Sequence, residues 1–190
     1  MDRRIKKSQD AIMNALISLM AEKEFEKITI NEIADCANVN RGTVYFHYMD
    51  KYHILDCCIE SHLEQLGEGC FPVEGTVAID SKTSLLRTFQ LMEKNADLYT
   101  TLLTNKGLPA FRNRLQEIMI EGIHKQIVDN NINLKVHKDI LAQFLTSATV
   151  GVIEWWIIGS MPYSAEDITE QLWTLLELNQ MIPVHIVKID

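Results

Sequence analysis

Two observations predict an all-α protein: apolar residues recur with a period near 3.6 along most of the 190 residues, and helix-capping patterns precede several of these runs. Hydrophobic residues make up 47% of the chain and charged residues 23%. That balance excludes a wholly disordered or collagen-like chain and provides for a buried core. The pattern amounts to about nine helices in two parts, a small N-terminal module and a larger C-terminal one.

Ile12, Ala15, Leu16, Leu19 and Met20 follow helical spacing and predict an amphipathic helix from about Ser8 to Lys23, with Arg3, Arg4, Lys6 and Lys7 as a basic cluster at its leading edge. Thr29-Ile30-Asn31-Glu32 is a capping box, in which the Thr29 hydroxyl accepts from the Glu32 amide and the Glu32 carboxylate accepts from the Thr29 amide. A short second helix starts there and buries Ile30, Ile33, Ala34 and Ala37. Asn38 falls where a helix ends by entering the left-handed region, which Asn tolerates better than most residues. Asn40 then caps a third helix from Arg41 to about His47, and Asp50 caps a fourth carrying Ile54, Leu55, Cys58, Ile59, His62, Leu63 and Leu66.

Gly67, Gly69, Pro72 and Gly75 predict a loop between Gly67 and Ser81 that parts the two modules. Further helices are expected over about Lys82–Lys94, Ala96–Thr104, Pro109–Asp129, Lys138–Gly159 and Ala165–Gln180, the last capped by Ser164. The tail from Pro183 to Asp190 alternates weakly. By role, residues 1–52 form the first domain and residues 53–190 the second.

The formal charge of −8 hides an asymmetry. Residues 1–51 carry eight basic and eight acidic groups, so the whole excess lies in the remainder. A neutral, locally basic head on an acidic body is compatible with nucleic-acid binding through the head alone. Cys36, Cys57, Cys58 and Cys70 make neither a Cys-x-x-Cys spacing nor a zinc pattern with the histidines, so no metal or other cofactor is expected. They read as reduced thiols of a cytoplasmic protein, with a redox sensor as the alternative. The charged first residues argue against a secretory signal, and Gln143 and Glu154 interrupt the most hydrophobic stretch, Ile140 to Ile158, as in a buried helix. No nucleophile elbow, phosphate loop or metal-ligand spacing points to an enzyme.

Capped helix, tight turn and short second helix give the spacing of a helix-turn-helix, whose second helix enters the DNA major groove. In Asn40-Arg41-Gly42-Thr43-Val44-Tyr45-Phe46-His47, Val44 faces the core, joined by Phe46 or Tyr48. Arg41 can donate two hydrogen bonds to guanine, and Thr43 can bond a base or touch a thymine methyl. Gly42 costs a helix roughly 1 kcal/mol relative to alanine, and a close approach of backbone to DNA would justify it. Tyr45, His47, Lys51 and Thr29 are suited to hold phosphates. Tyr45 can also be a packing aromatic, and His47 a plain surface histidine.

The run from Ile28 to Lys51, ITINEIADCANVNRGTVYFHYMDK, closely resembles the DNA-binding signature of the TetR family of bacterial regulators, and the likeness covers about the first 60 residues. Asn38 stands where that family usually has glycine and Asn40 where it often has serine. The resemblance implies that Arg41 and Thr43, with Asn31, reach bases, while Tyr45, His47, Lys51 and Thr29 hold phosphates. It also implies a homodimer on a palindromic double-stranded operator, joined by its last two long helices.

A dimer is expected on physical grounds too, because one short recognition helix makes few contacts and two-fold symmetry sets a pair about 34–36 Å apart on successive major grooves. The helix from Lys138 to Gly159 is apolar on several faces, with Ala148 and Gly151 permitting close approach and Trp155 and Trp156 offering large area. The resemblance further implies a small-molecule site in the second module, for which Phe89, Met92, Tyr99, Phe111, Met119, His124, Phe144 and Trp155 are candidate apolar lining or else ordinary core. The leading expectation is therefore a repressor released by a small apolar inducer. Residues 107–111 and 154–164 resemble a C-terminal type common in Firmicutes members of the family, a branch that includes an activator of dihydroxyacetone kinase genes working with a partner protein. The alternative is accordingly an activator or adaptor that senses a partner protein.

Overall fold

The computed structural model describes residues 3–70, 81–104, 109–129 and 136–178. Within them the regular elements are helices α1 (Arg3–Glu22), α2 (Ile30–Cys36), α3 (Arg41–His47), α4 (Lys51–Cys70), α5 (Ser81–Lys94), α6 (Ala96–Thr104), α7 (Ala110–Asp129), α8 (Lys138–Ile158) and α9 (Ala165–Leu178), with one 3₁₀ turn at Phe25–Lys27. The all-α expectation is met. The first helix begins earlier than its apolar period suggests, so the basic cluster lies inside its first two turns.

Packing divides the chain into two compact units, Met1–Leu66 with Asn95–Phe111, and Gly67–Lys94 with Arg112–Asp190. In the first, α1 packs on α2, α3 and α6. Its core is Ile12, Leu16, Phe25, Ile28, Ile33, Val44, Ile54 and Leu55, all buried. Tyr99 and Phe111 are buried in the same unit with ring centroids 5.6 Å apart. In the second unit α5 packs along α9, tied at the edge by Lys82–Glu170 and Gln90–Glu166 contacts of 2.8 Å each. Trp156 meets Phe89 edge-on at 5.2 Å, and its indole N–H donates to the Tyr163 carbonyl at 2.8 Å. Leu141, Ala142 and Leu145 of α8 form a further cluster with Ile120, Ile123 and Leu176.

Two expectations are corrected. The fourth helix does not stop at Gly67 but runs through Gly67 and Gly69 to Cys70. Each glycine costs roughly 1 kcal/mol in a helix, which Leu63 and Leu66, both buried in the preceding turns, can offset. Pro72, Gly75 and the tail from Pro183 lie outside the described residues. The apolar residues of α8 also divide in an unexpected way: Trp156 is buried, whereas Ile140, Phe144, Trp155 and Ile158 are exposed along one side. α8 is long and apolar enough by composition to cross a membrane, yet its opposite side is core and Glu154 pairs with Arg112 at 2.7 Å.

The turn between α2 and α3 is set by Asn38, at φ 53°. The Asn38 N–H donates to the Asp35 carbonyl at 3.1 Å and the Val39 N–H to the Ala34 carbonyl at 3.0 Å, the paired bonds of a Schellman ending. Because the left-handed conformation costs a side chain-bearing residue about 1–2 kcal/mol, less for Asn, Asn38→Gly should raise unfolding free energy by roughly 0.5–1 kcal/mol. Asn38→Val should lower it by about 1–2 kcal/mol, both read from urea midpoints.

Candidate nucleic-acid interface

The helix-turn-helix is locked by local bonds at each of its ends. At the start of α2, the Glu32 N–H donates to Thr29 Oγ1 at 3.3 Å, and the Glu32 carboxylate accepts from the Thr29 N–H at 2.9 Å and its hydroxyl at 2.8 Å. Lys23 at the end of α1 donates to the same carboxylate. The Lys23 bond above all, then the two from Thr29, lowers the Glu32 pKa to about 2. At the other end Asp50 accepts from the His53 N–H at 2.8 Å, starting α4.

Between these clamps α3 buries Val44 and, just beyond its end, Tyr48, whose phenol is pushed up to about 12 chiefly by burial. Phe46 does not join them, as one sequence alternative supposed: it is 78% exposed. Asn40 occupies the N-cap position with extended backbone, and its carbonyl accepts from Thr43 and Val44, but its side chain makes no cap hydrogen bond. Arg41, Gly42 and Tyr45 are exposed, while Thr43 and His47 are half-buried on the flank. The Arg41 guanidinium donates to the Tyr45 hydroxyl at 3.2 Å and lies 5.3 Å from the ring centroid, so these two residues form one exposed unit. A Cβ added at Gly42 would meet nothing within 4 Å. No crowding inside the chain calls for glycine there.

Asn31 is exposed on α2. Thr29 is exposed too, with its hydroxyl proton on Glu32. Lys51, expected at a phosphate, has only 15% of its side chain exposed. Its ammonium donates to the carbonyls of Phe25, Glu26 and Ile28 at 3.0, 2.9 and 3.2 Å and lies over the Phe25 ring at 4.8 Å. All three ammonium protons thus hold the segment before α2 against the first turn of α4.

The expected pocket residues are divided between the two units. Phe89 and Met92 are buried in the second unit, Tyr99 and Phe111 in the first, and Met119 and His124 are half-buried. Phe144 and Trp155 face solvent, which corrects their assignment to an interior lining. Cys36 is exposed, Cys57 half-buried and Cys58 buried, all as free thiols, with burial pushing the Cys58 pKa up to about 12. Among the described residues no cluster of His, Cys, Asp and Glu could hold a metal ion.

Comparison with known proteins places these features in a family. Residues 12–57 match the profile of bacterial regulatory proteins of the tetR family, and residues 80–178 match that of a transcriptional regulator C-terminal region. An uncharacterized HTH-type transcriptional regulator of Bacillus subtilis (strain 168), YxbF, is 23% identical over 171 residues, 87% of this chain but only 43% of that protein. The chain therefore spans less than half of that relative's length. The probable acrEF/envCD operon repressor of Escherichia coli (strain K12) is 22% identical over 83% of this chain and 79% of its own. A TetR transcriptional regulator from Streptococcus agalactiae superposes with a TM-score of 0.72 at 28% identity, covering 92% of this chain and 96% of that one.

The Glu32 contacts make head stability depend on acid. A carboxyl whose pKa is lowered on folding stabilises fully above its unfolded value and loses that contribution as pH falls through the folded value. Wild-type stability should decline between about pH 4.5 and pH 2 in part through this group. Glu32→Gln should be less stable at neutral pH and show a flatter acid limb in urea titrations, and limbs of equal slope would remove Glu32 from the account.

Proposed function

The chain belongs to the TetR family of bacterial regulatory proteins, and on that premise we propose that it is a homodimeric transcriptional repressor whose DNA-reading head, residues 1–52, is governed by a sensing and dimerising body, residues 53–190. The observation that carries the reading is the exposed face of α3, where Arg41 and Tyr45 are held together beside Gly42, a glycine with no steric reason within the chain. Arg41 suits a guanine edge, while Thr43 on the flank and Asn31 on α2 suit further base contacts. Tyr45, His47 and Thr29 suit phosphates. Lys51 acts from within, by holding α4 to the head. Repression, as in the Escherichia coli relative's name, is the sign adopted here.

Dimerisation is supported by the exposed side of α8. Ile140, Phe144, Gly151, Trp155 and Ile158 fall at helical spacing on one stripe, and Gly151, like Gly42, has nothing within 4 Å of an added Cβ. Exposed apolar side chains at this density mark an interaction surface, and a glycine amid them lets a second helix approach closely. A small apolar inducer in the second unit would favour a dimer whose heads no longer match successive grooves, acting through α4. Its effect is bounded by its differential affinity for the two states, typically about 1–3 kcal/mol.

Three experiments test this reading. Purified protein should bind the DNA upstream of its own gene, more weakly as salt rises, and Arg41→Ala with Tyr45→Phe should weaken binding by about 10- to 100-fold, as loss of a good bidentate base contact does. Unchanged binding by the double variant rejects the assigned site. In sedimentation equilibrium the wild type should be a dimer and Trp155→Glu a folded monomer with weakened DNA binding. A dimeric Trp155→Glu protein removes α8 from the interface. A promoter fusion whose expression falls on deletion of the regulator would indicate an activator instead.

A further inference from the structure

The outermost residue of the recognition helix is one that its polar neighbours overshadow in the sequence. Gly42 and Phe46 lie two positions on either side of buried Val44, so at 100° per residue each stands about 160° from the core direction. They are one turn apart and about 40° from each other, on the ridge that any major groove must meet first. The Cβ position of Gly42 is open for 4 Å, so the ridge has a recess at its N-terminal side. The Arg41–Tyr45 pair borders it on one flank, and Phe46 stands one turn further along the ridge. The Phe46 ring rests edge-on against His47 at 5.0 Å, and the described core makes no use of it.

At 78% exposed and on the outermost ridge, the Phe46 ring is available to whatever the helix meets. A duplex offers one apolar group at the floor of the major groove, the C5-methyl of thymine, and apolar contact with it distinguishes thymine from cytosine. We propose that Phe46, with the recess over Gly42, is a specificity-determining site that receives a thymine methyl beside the base read by Arg41. This rests on the DNA-binding reading above, and it assigns base discrimination to a residue without hydrogen-bonding groups.

The test separates the two levels. Duplexes are first selected by the wild-type dimer from a random library at low ionic strength, and each thymine of the selected half-site is then replaced by deoxyuridine, which removes only the methyl. At one thymine per half-site wild-type affinity should fall about fourfold, the factor for one buried methyl group. Phe46→Ala should bind the thymine duplex about as weakly as the wild type binds the uracil one, with no further loss on replacement. Phe46→Leu, which keeps an apolar side chain, should regain part of the discrimination. Since Phe46 is exposed, the thermal transitions of both variants should match the wild type. If duplexes are selected but no deoxyuridine position matters, or Phe46→Ala keeps the full fourfold loss, the Phe46 proposal is overturned. If no duplex is selected at all, the DNA-binding reading itself fails.

Discussion

A helix of seven residues such as α3 has no stability of its own, because isolated helices shorter than about 12 residues are marginal in water. Everything α3 presents outward therefore depends on how its inner side is held. Val44 and Tyr48 insert into the head's core, the left-handed residue Asn38 sets the angle at which the chain arrives, and the Asp50 cap sets the angle at which it leaves. Once Val44 is fixed inward, helical geometry places Gly42 and Phe46 outward and Arg41 and Tyr45 beside them, without any contact from outside the chain.

Cations in the head serve two different ends. Lys23 is paired with Glu32, Lys27 lies 3.3 Å from Glu24, and the Lys51 ammonium is enclosed by three carbonyls and two aromatic rings. Lys23 and Lys51 hold separate segments of the head together, while the Lys27 pair is local to the 3₁₀ turn. The basic cluster of α1 and the Arg41–Tyr45 pair remain as the outward-facing positive charge. The head's neutral balance thus understates how far it separates internal from external positive charge, as the proposed contact with DNA requires.

Features decided within four residues were legible in the sequence. The capping box at Thr29, the left-handed Asn38, the Asp50 and Ser164 caps and the boundaries of α3 all rest on local bonds, which residue type announces. What escaped depends on direction or distance. Phe46 was ambiguous because apolar character alone cannot say which side of a short helix faces in, although counting from Val44 would have placed it outward. Lys51 reaches back more than twenty residues to Phe25, Glu26 and Ile28, a closure no local pattern encodes. On α8, apolar residues all round hid the fact that Trp156 and Trp155 have opposite fates, and a pocket lining could not be drawn from composition when two of its members face solvent.

Those adjacent indoles carry an optical consequence. Trp156 sits in a dry environment with its N–H on a fixed carbonyl, while Trp155, one position along, is 55% exposed beside Tyr163. Indole fluorescence shifts to the blue when water is removed, so of the three tryptophans Trp155 adds red emission from the side of α8 that a second subunit would cover, beside that of half-exposed Trp173 on α9. With Trp173 replaced by phenylalanine, the intrinsic emission registers whether that side is wet, with no label attached.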